Sequence, residues 1–120
     1  MDVELKQGQV WSYKNRDGEN DSRLTILKIE NLNNIEIIHI RIDGLISNKN
    51  SSRTVPLTTI EHLPISLEMF KKSIIKLEME VDASINDGYL YWKEEFLQGK
   101  AGIWSIEVAE VIVLTDKVYK

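Results

Sequence analysis

Apolar and polar positions alternate with a period of two through the first half of the chain, and apolar residues recur at helical spacing in the second. Gln9-Val10-Trp11-Ser12-Tyr13-Lys14 is short, aromatic and alternating, which predicts a first strand opened by Gly8. Asp17-Gly18 marks a turn in the polar loop that follows. Arg23 to Glu30 reads as a second strand, Asn33-Asn34 as a turn, and Ile35 to Asp43 as a returning third strand. In that third strand Ile38, Ile40 and Ile42 share one face and form the core candidate, while Ile37, His39 and Arg41 share the other. After Gly44 and a polar loop at Ser47 to Ser52, Arg53 to Ile60 predicts a fourth strand. Pro56 makes it an edge strand or a bulged one.

Glu61-His62-Leu63-Pro64-Ile65-Ser66 reads as the junction into a first helix, with Ser66 as its N-cap and Glu68 suited to the helix dipole. Leu67, Phe70, Ile74 and Leu77 recur on one helical face, so this helix is expected to run to about Glu78. A second helix is predicted from Gly88 to Gln98, capped by Asp87. Its stripe is Tyr89, Trp92 and Phe96, and Gly99 stops it. Ile103 to Val108 is expected as a last strand, with Trp104 packed on Trp92, and Ala109 to Leu114 suits either strand or short helix. Strands first and helices later define an α+β class. The expected architecture is a bent antiparallel sheet or partial SH3-like barrel of about five strands packed by two helices, as a single domain over residues 1–120.

Composition narrows the function classes. The chain has 42% hydrophobic and 28% charged residues, ordinary for a globular domain that needs no disulfide or metal staple. A formal charge of −4 disfavours loose binding to nucleic-acid phosphates. With no cysteine, disulfides, thiolate zinc sites and cysteine nucleophiles are excluded together. The acidic, mixed start Met1-Asp2-Val3-Glu4-Leu5-Lys6 has no apolar h-region, and no apolar run approaches the ~20 residues of a membrane helix. A cytoplasmic location without membrane attachment is the expectation, and the abundance of Ile, Lys and Asn fits a bacterial source with an A+T-rich genome.

Candidate chemistry is sparse. His39 and His62 are the two imidazoles, and neither stands in an H-E-x-x-H or H-x-H arrangement. His39 is expected as a cross-strand packing residue and His62 as a local hydrogen-bonding partner, with no metal and no cofactor. No G-x-S-x-G elbow, P-loop or dinucleotide fingerprint occurs, so no catalytic residue is assigned. Trp11, Tyr13 and Arg16 lie close together, and aromatics interleaved with a cation are what single-stranded nucleic acid binding uses.

Gly8-Gln9-Val10-Trp11-Ser12-Tyr13-Lys14, His62-Leu63-Pro64-Ile65-Ser66 and Gly99-Lys100-Ala101-Gly102-Ile103-Trp104-Ser105-Ile106 together resemble a group of small uncharacterised bacterial single-domain proteins. That group carries G-x-V-W-x-Y and H-L-P-x-S motifs, and the resemblance implies no activity. Gly8, Val10, Trp11 and Arg16 also resemble the opening of the SH3-like barrel toxins that cut messenger RNA, although Asn15-Arg16-Asp17-Gly18 stands in place of their Gly-Arg-Pro signature.

Three functional expectations follow. The preferred one is a non-enzymatic protein-interaction domain of immunity or adaptor type, its partner another protein, motivated by the missing chemistry and acidic balance. A second is an RNA-binding or RNA-cleaving protein using Trp11, Tyr13 and Arg16, with His39 or His62 as general acid or base. It requires Arg16 and a histidine in one open cleft. A third is a small-molecule site between sheet and helices. Pairing of the Arg53–Ile60 edge across a homodimer is a further expectation.

Overall fold

A hairpin organises the chain. The computed structural model describes residues 4–46 and 56–118. Strands β1 (Gln9–Tyr13), β2 (Arg23–Leu32) and β3 (Ile35–Asp43) are antiparallel neighbours. The β2–β3 turn is Asn33-Asn34, with φ of 53° and 67°, the left-handed conformation that asparagine tolerates and that suits a two-residue hairpin. Strand β4 (Thr59–Ser66) pairs with β3, and β5 (Ile74–Glu80) pairs with β1, giving an open sheet of order β4-β3-β2-β1-β5. The fold is α+β with an antiparallel five-stranded sheet, as its alternating pattern requires. The expected 47–52 loop and the first residues of the expected Arg53–Ile60 strand lie outside the described residues. Pairing along β4 begins at Thr59 and runs through the segment expected to be a helix junction.

Helix α1 (Leu67–Ser73) crosses from β4 to β5, α2 (Asp87–Leu97) follows β5, and α3 (Val108–Val118) ends the described chain. The alternation of strand side chains sorts the helices onto two faces. Ile38, Ile40 and Ile42 join Trp11, Tyr13, Leu24, Ile26, Phe70, Val111 and Ile112 in the main core, which lies under α1 and α3. On the opposite face Ile37 packs with Tyr89 and Trp92 of α2. The expected assignment of Ile38, Ile40 and Ile42 to the core thus holds.

Several sequence expectations are corrected by the fold. The first helix ends at Ser73 instead of near Glu78, because Ile74 adopts φ −74° and ψ 150° and continues as β5. Leu77 and Ile74 do share the core face, but through a β-bulge. They pair with Trp11 and Tyr13, two residues apart, so one extra residue on β5 turns a spacing of three into a same-face pair. The second helix is capped by Asn86, whose side chain accepts from the Tyr89 backbone N–H at 3.0 Å, and not by Asp87. The expected strand at Ile103–Val108 is reduced to one parallel bridge between Trp104 and Ile65, after which α3 begins at Val108. Trp92 stacks on Phe96, with ring centroids 4.7 Å apart, instead of on Trp104.

Candidate functional site

The two histidines meet on the α2 face. His39 lies opposite Lys28 of β2 and Pro64 of β4, which puts its ring on the side away from the main core. A bulge in β2 between Ile26 and Lys28 shifts the strand's phase, so Ile26 and Ile29 point to the core while Lys28 and Glu30 point to His39. A second register shift, between the Ile40–Leu63 and Ile42–Ile60 pairs, places the extra residue of β4 at Glu61-His62. Gly88 lets α2 lie directly on this point: a Cβ there would stand 3.0 Å from the His62 Cβ.

Five polar side chains then connect. Glu30 Oε1 accepts from the Tyr89 hydroxyl at 2.9 Å and lies 2.8 Å from His39 Nε2, and its Oε2 accepts from Lys93 Nζ at 3.1 Å. His39 Nδ1 lies 2.9 Å from His62 Nε2. The side chain of His39 is 0% exposed and that of Glu30 11%. Rings enclose the pair: Tyr89 and Trp92 meet His39 edge-on at 4.7 and 4.9 Å between centroids.

Electrostatics fixes the direction of these hydrogen bonds. Burial works against the charge of Glu30, but the bonds from Tyr89 and Lys93, with the positive potential of His39 and Lys93, outweigh it and hold the carboxyl below its ordinary pKa. An ionised carboxylate only accepts, so His39 carries its proton on Nε2. A neutral His39 then offers a lone pair at Nδ1, and His62 must donate to it from Nε2. The same logic leaves His62 Nδ1 as an acceptor. That atom has no hydrogen-bond partner among the described residues, and it is not sealed from solvent. Both rings are held neutral: burial lowers the pKa of His39 against the pull of Glu30, and burial followed by repulsion from His39 lowers His62 to about 4.

His62 opens into a groove of about 630 Å³, bounded also by Tyr91, Trp92, Glu95, Lys100 and Trp104. The indole N–H of Trp92 donates to the Gly102 carbonyl at 2.8 Å, which pins the 100–104 segment against α2. Trp104 is tied to β4 by two backbone bonds, its N–H to the Pro64 carbonyl and its carbonyl to the Ser66 N–H. The walls are therefore carried by ordered elements on both sides.

Of the candidate residues, the fold brings together His39 and His62, and places Trp11, Tyr13 and Arg16 elsewhere. Trp11 is 6% and Tyr13 0% exposed, both in the main core. Arg16 binds Glu19 at 2.6 Å and Asp116 of α3 at 3.1 Å, on the side of the sheet opposite the histidines. The cleft shared by Arg16 and a histidine, which the RNA-cleaving expectation requires, does not form. Glu30, Tyr89 and Lys93 are site residues that the sequence reading missed. The available signal was the i,i+4 spacing of Tyr89 and Lys93 on one helix face. Among the described residues no three His, Asp or Glu side chains converge as a metal ion would need, and no helix is long and apolar enough to cross a membrane. Comparison with protein-family models, curated proteins and solved structures yields no match.

Proposed function

We propose that this domain binds a small, ring-bearing molecule in the groove beside His62, with a hydrogen-bond donor of the ligand directed at His62 Nδ1. The observation that carries this reading is an aromatic-walled groove of about 630 Å³ lined by a histidine whose Nε2 is engaged by His39 and whose Nδ1 has no partner among the described residues. That volume lies within the ~300–1,000 Å³ of small-molecule sites, and a mostly apolar lining with few placed polar groups is their usual chemistry. Tryptophan faces suit flat rings. The chain's three tryptophans supply an internal control, because Trp11 lies in the other core. Titration with indole, followed through the three indole N–H resonances, is expected to shift Trp92 and Trp104 and leave Trp11 in place. Equal movement of all three, or of none, contradicts the reading.

Protein interaction is the second reading, favoured by apolar side chains that α2 leaves in solvent: Leu90 is 52%, Tyr91 70% and Leu97 68% exposed. It predicts that Leu90→Ser with Leu97→Ser abolishes capture of a defined partner without changing the indole shifts.

A further inference from the structure

We propose that Glu30, His39 and His62 form a directional proton relay that makes His62 a general base toward the groove. The proposal rests on the binding reading above and adds a chemistry to it: the ligand class is a ring-bearing molecule with a weakly acidic O–H or N–H.

The cluster is closed at the inner end and open at the outer. Glu30 is held by three donors, from Tyr89, Lys93 and His39, and both of its oxygens are engaged. His39 is fully buried and uses both ring nitrogens, so a proton reaches it from the groove only through His62. His62 uses Nε2 inward, while its Nδ1 has no hydrogen-bond partner among the described residues and the residue itself lines the groove.

The transfer balances with no added reagent. A ligand O–H gives its proton to the lone pair of His62 Nδ1, and its bonding electrons stay on the ligand oxygen as an anion. The Nε2 proton of His62 passes to His39 Nδ1. His62 is then neutral again, now protonated on Nδ1. His39 is an imidazolium donating from Nε2 to the Glu30 carboxylate 2.8 Å away, and Glu30 need not take the proton itself. The charges facing His39 are Glu30, Lys28 and Lys93, with His62 on β4 and the Tyr89 hydroxyl on α2. Among the described residues Glu30 is the anion in direct contact with the ring, which is why the charge resides on His39 and not on His62. Glu30 and His39 are positioning residues in this scheme, and His62 is the group that touches the ligand.

Two measurements test it. In protein labelled with ¹⁵N-histidine, ring nitrogen shifts at neutral pH are expected to show the Nε2–H tautomer for both residues. On acidification His39 becomes the first imidazolium while His62 changes to Nδ1–H. A neutral-pH Nδ1–H tautomer of either ring, or His62 as first imidazolium, overturns the relay, and this holds with no ligand added. The second probe is 4-nitrophenol, whose ionised form is yellow, with indole as a probe that the relay does not deprotonate. Bound nitrophenol is expected to be more ionised in the wild type than where Glu30 carries no charge. Glu30→Gln should reduce its bound ionisation constant by about tenfold or more, the low end of what an adjacent charge does. Equal ionisation in the wild type and Glu30→Gln refutes the relay and spares the binding site. Failure of both probes to shift Trp92 and Trp104 refutes the binding site and the proposal that rests on it.

Discussion

Acid should unfold this protein earlier than its carboxylates alone would dictate, because its two imidazoles are folded neutral. Both have folded pKa values below the ordinary 6.5, with His62 at about 4. A lowered value means the unfolded chain binds protons that the folded one refuses, so the stability is present above pH 6.5 and is lost as pH falls toward 4. Between pH 6.5 and 5 one such ring forfeits about 1.36 kcal/mol per unit, roughly 2 kcal/mol. His62 opens on the groove, and solvent screening there reduces its share to about 1 kcal/mol. Burial of neutral His39 adds to the loss in the same direction, and the His62 share alone is a sizeable part of the ~5–15 kcal/mol that holds a domain folded. Urea unfolding at pH 7 and pH 5 measures it. With an m-value of about 2 kcal/mol/M the midpoint should drop by at least about 0.5 M. His62→Asn should make that drop smaller. A midpoint that stays constant between the two pH values, or drops equally in His62→Asn, refutes the argument. The chain's only histidines are these two, so no other imidazole can produce the effect.

The remaining predictions concern the frame. Gly8 has φ +92°, and a Cβ there would run into the Val81 carbonyl, so Gly8→Ala should cost more than about 2 kcal/mol in chemical denaturation and weaken β1–β5 protection in hydrogen exchange. Arg16→Ala leaves Glu19 and Asp116, each 2% exposed, without their shared cation; a loss of about 3 kcal/mol, read as a lowered Tm, is expected. Ser73 Oγ donates to the Met69 carbonyl at 2.8 Å and accepts the Val108 N–H at 3.0 Å, joining the end of α1 to the start of α3. Ser73→Ala should therefore cost about 1–2 kcal/mol by urea unfolding, without altering the indole shifts of Trp92 and Trp104.

Much of the sheet was legible because a strand buried on one face writes its period into the sequence. Ile38, Ile40 and Ile42 announce a core face, and Asn33-Asn34 announces a two-residue hairpin. The helix expected through Ile74 and Leu77 went wrong for a definite reason. A bulge in β5 makes residues three apart share a face, and three is also a helical spacing, so the pattern fits both structures. Tertiary demand decided between them: β1 needed a neighbour on its outer edge, and Ile74–Glu80 supplies it. Trp104 shows the complementary case, an alternating segment that forms a single bridge because α3 starts at Val108.

The site was illegible for the same physical reason, carried one step further. Read with an unbroken period of two, Ile26, Lys28 and Glu30 share a face, which would send Glu30 into the main core and away from His39. One extra residue at Leu27 reverses this and aims an acidic side chain at a buried imidazole. Another extra residue, at Glu61-His62, sits where the second ring meets the first. Each bulge interrupts the regular pairing of a strand that otherwise packs against the core, and the two interruptions serve one polar chain. The sequence carries neither as a motif, since a bulge is a relation between two strands and not a property of one. The polar chain of Glu30, His39 and His62 therefore arises where the sheet departs from its own period, and Glu30 belongs to it only because Leu27 is one residue too many.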